Sequence, residues 1–500
     1  MGRTLLLGLI FGVSFTQYPL YTSSQNNYFL HGLAQAGVGF LQQDWLATTV
    51  DPVPVFTDLV RFTVSSLDES FFYFYHLLLA GIYIVSVLGI ARSAFPVRDR
   101  SVELLVRIVL FTTLHSALNP TTFLHEGIAV HELLGRVFQP SSCGVFLVLS
   151  IYTFLRGRPF LAVVSSTLAA TLHPVYVLSA ALLTLSYLVI LLRNERQTRR
   201  AGLLALLALF LILPTLLHVY VSFGPTTPEI FADGQRVLVD YRQQYASNVG
   251  EWLRPRAMAQ ILVVLLALFV TRRTPVFPIL FCVFSGATIL TLAQVVTQDR
   301  MLALLYPWRV SVFLVPLSSC LLLAKLASVA FDHFSDRIRG REKLLERTAL
   351  TALCILPVYG AAIMAGRFDE VERSDLTPLM RYVAATKQPT HLYLVPTIKA
   401  DTNSKMRRFR LRTGAPTFVE TKSHPYKDFE LVEWYRRVDL ASDFYQARGP
   451  TARRLLLEIM ARYGVTHVLF ERGGVNVFAD VLHEKLYEDE SFVLYDLRTD

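Results

Sequence analysis

The feature that most constrains this chain is a series of apolar runs long enough to cross a bilayer as helices, which takes roughly 17–25 residues across ~30 Å of hydrocarbon. Eight such runs fall at residues 4–21, 71–91, 174–192, 201–223, 256–270, 276–296, 301–331 and 348–366. Three shorter ones, at 104–118, 143–155 and 160–173, read as short or tilted crossings, which gives about 11 transmembrane helices. Composition agrees, because 53% of the 500 residues are hydrophobic and only 17% are charged, against roughly 25% charged in soluble domains. An ordinary cytosolic enzyme, a disordered hub and a nucleic-acid-binding module are thereby excluded. Cys143, Cys282, Cys320 and Cys354 lie far apart, in or beside apolar runs, and offer neither a disulfide framework nor a zinc spacing.

The net charge of +9 is informative by position. With eleven spans, alternate connections on one side collect Arg3, Arg92, Arg98, Arg100, Arg156, Arg158, the run at 193–200, Arg272, Arg273 and the stretch 337–347. The other side collects carboxylates, among them Asp44, Asp51, Asp58, Glu126, Glu132, Asp240 and Asp299. Cytoplasmic loops carry the excess of Lys and Arg. The N-terminus is therefore expected in the cytoplasm, the long first loop outside, and the C-terminal segment outside as well. The first run also fits a signal peptide, with Arg3 ahead of a short apolar core, but no small-x-small cleavage site precedes the polar stretch that follows it.

This divides the chain into a transmembrane domain at residues 1–369, which includes the first outer loop at 22–70, and a soluble extracytoplasmic α/β domain at 370–500. In the latter, strand-like runs at 391–395, 417–420, 466–470 and 492–497 alternate with helical patterns at 427–445 and 451–463.

The first outer loop is too long for a plain connector. Tyr28, Phe29, Leu33, Val38, Phe40 and Leu41 suggest an amphipathic helix on the membrane surface ending near Gly37 or Gly39. Asp44 and Trp45 follow, and then Asp51 before Pro52 reads as the cap of a second amphipathic helix. Both carboxylates are expected at helix ends, at the water boundary, where either can take a proton from an acceptor hydroxyl, with Trp45 on the substrate side. In the second outer loop His125, Glu126, His131 and Glu132 come close together without HExxH spacing. His125 and Glu126 are expected to hydrogen-bond at the mouth of a cavity, and no metal site is assigned. His173 breaks an apolar run before Pro174, which disfavours helical geometry at the preceding residue.

The segment 297–313 carries the sharpest intramembrane signal. Arg300 stands at the outer boundary and Arg309 follows nine residues later, ~13 Å deeper if one helix runs through both. An arginine at that depth costs about 2.5–3.5 kcal/mol unless it faces a cavity or a partner, and its donor fork suits phosphate or carboxylate. Arg107, in the third span, is expected to snorkel towards the cytoplasmic end.

This layout resembles the GT-C superfamily of polytopic glycosyltransferases, which use polyprenyl-phosphate-linked sugars. The resemblance lies in the N-in topology, the long first outer loop with an acidic residue between two interfacial helices, the short interrupted middle spans and the outer C-terminal domain. Residues 409–438 (FRLRTGAPTFVETKSHPYKDFELVEWYRRV), with 26–56 and 303–316, also look like a group of bacterial membrane proteins whose C-terminal domain has no assigned function. The resemblance implies Asp44, or failing it Asp51, as general base or metal-binding acid and Arg300 or Arg309 on the lipid phosphate; His125, Glu126, His173 and Trp45 are the expected substrate contacts beside them. The first loop has no adjacent acidic pair of the DD or DE kind, so a divalent cation is compatible with the site but not required by it.

The expected function is inverting transfer of a sugar from a polyprenyl-phosphate donor to an outer-face acceptor, a glycan, glycolipid or protein of the envelope, in the plasma membrane of a bacterium. The partners are then the lipid-linked sugar, membrane lipid and the acceptor, with no nucleic acid. A transporter or flippase of lipid-linked saccharide needs the arginine but no base, and a non-catalytic envelope-assembly protein needs neither. The basic and aromatic residues Arg408, Arg410, Arg412, Lys422, His424, Lys427, Trp434, Tyr435, Arg436 and Arg437 form a further expected surface for an acidic glycan.

Overall fold

The structure is a computed structural model that describes residues 2–97, 101–193, 197–399, 405–473 and 482–497. Arg98, Arg100 and residues 194–196 of the basic run lie outside the described residues, as does the side chain of Arg3. The chain divides into two compact units.

The first unit takes residues 1–17, 72–218 and 238–366. Among the described residues, six helical segments are long and apolar enough to cross a membrane, Phe71–Ala94, Pro174–Leu192, Thr198–Phe223, Phe277–Thr297, the interrupted Arg300–His333 and Glu342–Glu372. Shorter apolar helices stand at Thr4–Phe15, Pro140–Leu155, Pro159–Leu172 and Pro255–Thr271, and Ser101–His115 fills the remaining expected span. The first run is shorter than expected, because Thr16 turns to φ 72° and the helix ends at Phe15. Proline opens several of these helices, where the missing N–H is one the helix could not use, as at Pro159 and Pro255. Helices cross closely where glycine permits it: a Cβ on Gly8 would stand 2.9 Å from Gly81 Cα, the small-residue contact that lets membrane helices approach.

The run at 301–331 is not one helix. A short helix Arg300–Leu304 is followed by Tyr306 in the left-handed region (φ 46°), a tight turn Pro307–Val310, and then the helix Ser311–His333. The physical reason is Pro307, which disfavours α geometry at the preceding residue. The ~13 Å depth step reckoned along one helix from Arg300 to Arg309 does not hold across this break. Arg107 does not snorkel either. Its side chain is fully buried, with Nη1 donating to Phe95 O at 2.7 Å and Nη2 to Glu103 Oε1 at 2.5 Å and to Ser328 Oγ at 2.6 Å.

The second unit takes residues 18–71, 219–237 and 367–500, so the first long loop packs with the C-terminal segment. In that loop the first helix is Leu30–Gln35, whose residues from Leu30 to Ala34 are buried, and Gly37 and Gly39 follow it at positive φ. It is a core helix rather than an amphipathic one. The second helix, Pro54–Ser66, begins two residues later than expected, at the second proline of the DPVP sequence. Asp51 instead closes a local turn by accepting the Val53 N–H at 2.9 Å.

The C-terminal segment folds a four-stranded sheet in the order β1-β2-β4-β3, with β1 Tyr393–Leu394, β2 His467–Glu471, β3 Glu484–Glu488 and β4 Phe492–Asp496. β1 and β2 are parallel and the other pairs antiparallel. Helices Asp428–Gln446 and Gly449–Tyr463 match the expected pattern. The expected strand at 417–420 is reduced to one bridge between Tyr393 and Thr417. β3 was not expected, because its residues are polar and mostly exposed and so carry no apolar alternation.

Candidate functional site

In the first unit, the stretch 122–139 has no long helix and is held by side chains from three spans. Gln260 Nε2 donates to the carbonyls of Phe123 and Glu126 at 2.9 and 3.0 Å. Ser319 Oγ donates to Leu124 O at 2.8 Å, and Ser311 Oγ accepts from Ile128 N–H at 2.8 Å. His76 Nε2 donates to Gly135 O at 2.9 Å. Arg256 pairs with Glu126 and donates to Thr122 Oγ1 at 3.0 Å. A loop tied at this many points presents its side chains in fixed positions.

One part of this loop lines a recess with the broken span. Ile128, Ala129 and His131 face Trp252, Tyr306, Pro307, Trp308 and Arg309 there. Ala129 (φ 59°), Val130 (φ 58°) and Tyr306 (φ 46°) adopt left-handed backbone without being glycine, a cost of roughly 1–3 kcal/mol each that is retained mostly at working sites. Arg309 stands 5.9 Å from the centroid of the Tyr176 ring. That ring is fully buried and anchored by its hydroxyl, which donates to Ser141 O at 2.8 Å. His173 packs edge-on against the same ring at 5.2 Å, in the extended conformation that Pro174 imposes (φ −146°, ψ 97°). Burial, joined by the Arg309 charge, holds the His131 imidazole well below its usual range, so the positive charge of the recess belongs to Arg309.

Two donors in this recess are unused. Arg309 Nε and Trp308 Nε1 are buried without a hydrogen-bond acceptor, and no carboxylate among the described residues forms an ion pair with Arg309. Adjacent buried N–H donors lacking an acceptor are rare and call for one. A guanidinium and an indole N–H together suit an oxyanion such as phosphate.

The next part of the loop lines a second recess, where His125, Glu132, Leu133, Leu134 and Gly135 meet Phe15, Tyr83, His115 and Pro316. Here His115 Nδ1 donates to Phe111 O at 2.8 Å, so its Nε2 accepts from the Tyr83 hydroxyl at 2.9 Å. Burial, then the charge of Glu126, pushes the Glu132 carboxyl up to about 7, against the opposing pull of Arg136. Burial holds His125 at about 4. A carboxyl poised near neutrality inside a recess is suited to proton transfer. Glu132 was not among the expected site residues. Its signal was present in the sequence as a lone acid among Val130, Leu133 and Leu134.

The other expected site residues stand elsewhere. Arg300 is an exposed partner of Asp240 at 2.9 Å, each side chain about half exposed. Asp44, in the second unit, is not at a water boundary but 1% exposed. Its Oδ1 accepts from Leu46 N–H at 3.0 Å and Arg410 Nη1 at 3.3 Å, and its Oδ2 from Thr417 N–H at 2.9 Å. Trp45 lies under the Arg437 guanidinium, 4.0 Å from the ring centroid, and Arg437 also faces Tyr463 at 4.7 Å. Trp434 is buried and donates from Nε1 to Glu420 O at 3.1 Å, so it offers no sugar platform. Among the described residues, no three His, Cys, Asp or Glu side chains are grouped to hold a metal ion.

A domain of unknown function, DUF6798, matches residues 374–441. No curated protein sequence matches the chain. The fold is similar to the crystal structure of ArnT from Cupriavidus metallidurans bound to undecaprenyl phosphate, with a TM-score of 0.53 and 13% identity, over 99% of this chain and 97% of that one. The apo state of the same protein matches with a TM-score of 0.52 and 13% identity over 98% and 96%. The chain therefore has an ArnT-like fold, with several helices long and apolar enough to cross a membrane and a small C-terminal sheet.

Proposed function

We propose that the chain transfers a sugar from a polyprenyl-phosphate donor to an acceptor at the outer face of the membrane, and that Arg309 holds the donor phosphate. The observation that carries this reading is the pair of buried, unused donors, Arg309 Nε and Trp308 Nε1, in a recess whose guanidinium has no carboxylate partner among the described residues. The fold likeness to ArnT, whose structure contains undecaprenyl phosphate, supports the same class of lipid.

Phosphate binding at Arg309 is catalytic as well as structural in this reading. As the acceptor oxygen bonds to the anomeric carbon, the bond from that carbon to the phosphate oxygen breaks, and negative charge grows on the phosphate. A fixed guanidinium meets that charge without reorganising. Asp44 serves here as the anchor of the first loop, because all three of its hydrogen bonds come from donors of its own unit. The orientation that goes with this function keeps the N-terminus in the cytoplasm and the first and second outer loops outside.

The test is binding of undecaprenyl phosphate to the purified protein, followed by native mass spectrometry. Arg309→Gln weakens binding about 10- to 100-fold, as expected for losing a hydrogen bond to a charged group worth ~1.5–3 kcal/mol. Arg300→Gln leaves it unchanged. Equal binding by wild type and Arg309→Gln would remove the phosphate from this recess.

A further inference from the structure

We propose that Glu132 is the group that takes the proton from the acceptor hydroxyl during transfer. This rests on the transfer reading above and adds to it the identity of the base, which the first-loop carboxylates do not supply.

The argument runs by elimination within one recess. Four titratable side chains line it, Tyr83, His115, His125 and Glu132. Tyr83 and His115 satisfy each other, because the His115 Nδ1 proton is committed to Phe111 O and its Nε2 lone pair to the Tyr83 hydroxyl. His125 and Glu132 remain. His125 has a buried Nδ1 with no hydrogen-bond partner, and burial makes it a weak base. Glu132 makes no hydrogen bond or ion pair among the described residues, so its carboxylate oxygens remain available to a group entering the recess.

The backbone around Glu132 is fixed on both sides. His131 O accepts from Gly127 N–H at 2.7 Å, Leu134 O from Ser142 Oγ at 2.8 Å, and Gly135 O from His76 Nε2 at 2.9 Å. The charges that act on it are Glu126, which raises its affinity for a proton, and Arg136, which lowers it. Glu126 is itself paired with Arg256. The balance leaves Glu132 near 7, where a general base combines a large ionised fraction with real proton affinity.

The step balances without a further reactant. The acceptor O–H bond breaks, its proton goes to a Glu132 oxygen, the acceptor oxygen bonds to the anomeric carbon, and the polyprenyl phosphate leaves with the electron pair of the broken carbon–oxygen bond. Protonated Glu132 then returns the proton to water.

The experiment measures release of undecaprenyl phosphate from a panel of undecaprenyl-phosphate-linked hexoses and pentoses, with an envelope lipid and glycan extract added as acceptor, by wild type, Glu132→Gln and Glu132→Asp. Glu132→Gln lowers kcat about 10²- to 10⁴-fold with little change in donor KM, and the acid limb of the rate profile near pH 7 disappears. Glu132→Asp keeps that limb at reduced rate. An infrared titration of the resting protein gives a readout independent of turnover: a carboxyl band titrating near pH 7 in wild type is absent from Glu132→Gln. Full activity of Glu132→Gln, or no such band in wild type, overturns the proposal while leaving the transfer reading intact. A wild type that binds the lipid but releases nothing across the panel overturns the transfer reading, and Glu132 as its base with it.

Discussion

Arg309 faces the Tyr176 ring at 5.9 Å and forms no ion pair among the described residues, whereas Arg107, Arg256 and Arg300 of the same unit are each paired with a carboxylate, on Glu103, Glu126 and Asp240. A charge among apolar helices is ordinarily neutralised by a protein partner. On the function proposed above, this exception is where the donor phosphate supplies the negative charge.

The Arg107 pair gives a stability test of that contrast. Glu103→Gln leaves Arg107 buried and uncompensated, and thermal unfolding in detergent is expected to show a loss of about 3–5 kcal/mol. Arg309→Gln removes no partner and is expected to leave the melting temperature nearly unchanged. A large loss for Arg309→Gln would place it among the structural arginines.

Asp44 and Arg410 are predicted to act on folding. Asp44→Ala leaves the Leu46 and Thr417 amides without their acceptor and the buried Arg410 guanidinium with only the longer Glu420 pair at 3.8 Å, so a loss of about 3–5 kcal/mol is expected, with lipid affinity retained in the protein that remains folded. Normal stability with lost transfer would return Asp44 to a chemical role.

Gly39 tests how tightly the first loop packs within its unit. It sits at φ 55°, a Cβ there would lie 2.3 Å from Gly414 O, and that oxygen accepts the Phe40 N–H at 2.8 Å. Gly39→Ala must distort both chains and is expected to lower stability by at least ~1 kcal/mol, whereas Gly37→Ala, with open space around it, carries only the backbone strain. Equal melting temperatures for the two variants would contradict the packing.

Glu132 predicts a pH dependence of stability. Its folded carboxyl is raised to about 7, so the folded state holds its proton more tightly than the unfolded state does. The contribution favouring the fold is full below the ordinary carboxylate range, is lost as pH rises towards 7, and stays lost above it. Glu132→Gln should therefore melt higher than wild type at alkaline pH and about equally at acid pH. A constant difference across pH would contradict the raised carboxyl.

Much of the architecture was legible because bilayer crossing imposes length and apolarity on each span, and prolines marked several of the breaks. What was misread depended on long-range partners. The Thr417 N–H goes to Asp44, 373 positions away, which takes it from the strand expected there. Asp44 looked solvated because nothing near it in sequence announces Arg410. Among the arginines, Arg309 stands out in the sequence as an expected intramembrane charge, but only the structure separates it from Arg300, which Asp240 occupies. Glu132 was passed over for a related reason, since its importance comes from the recess around it and not from any motif.

The most direct test of the account is mass spectrometry of polyprenyl-phosphate-linked sugars and surface glycans in cells lacking the gene, complemented with wild type or Arg309→Gln. The account predicts that one lipid-linked sugar accumulates and its transferred product disappears, that wild type reverses both, and that Arg309→Gln reverses neither. Unchanged lipid-linked sugars and glycans on deletion would contradict it.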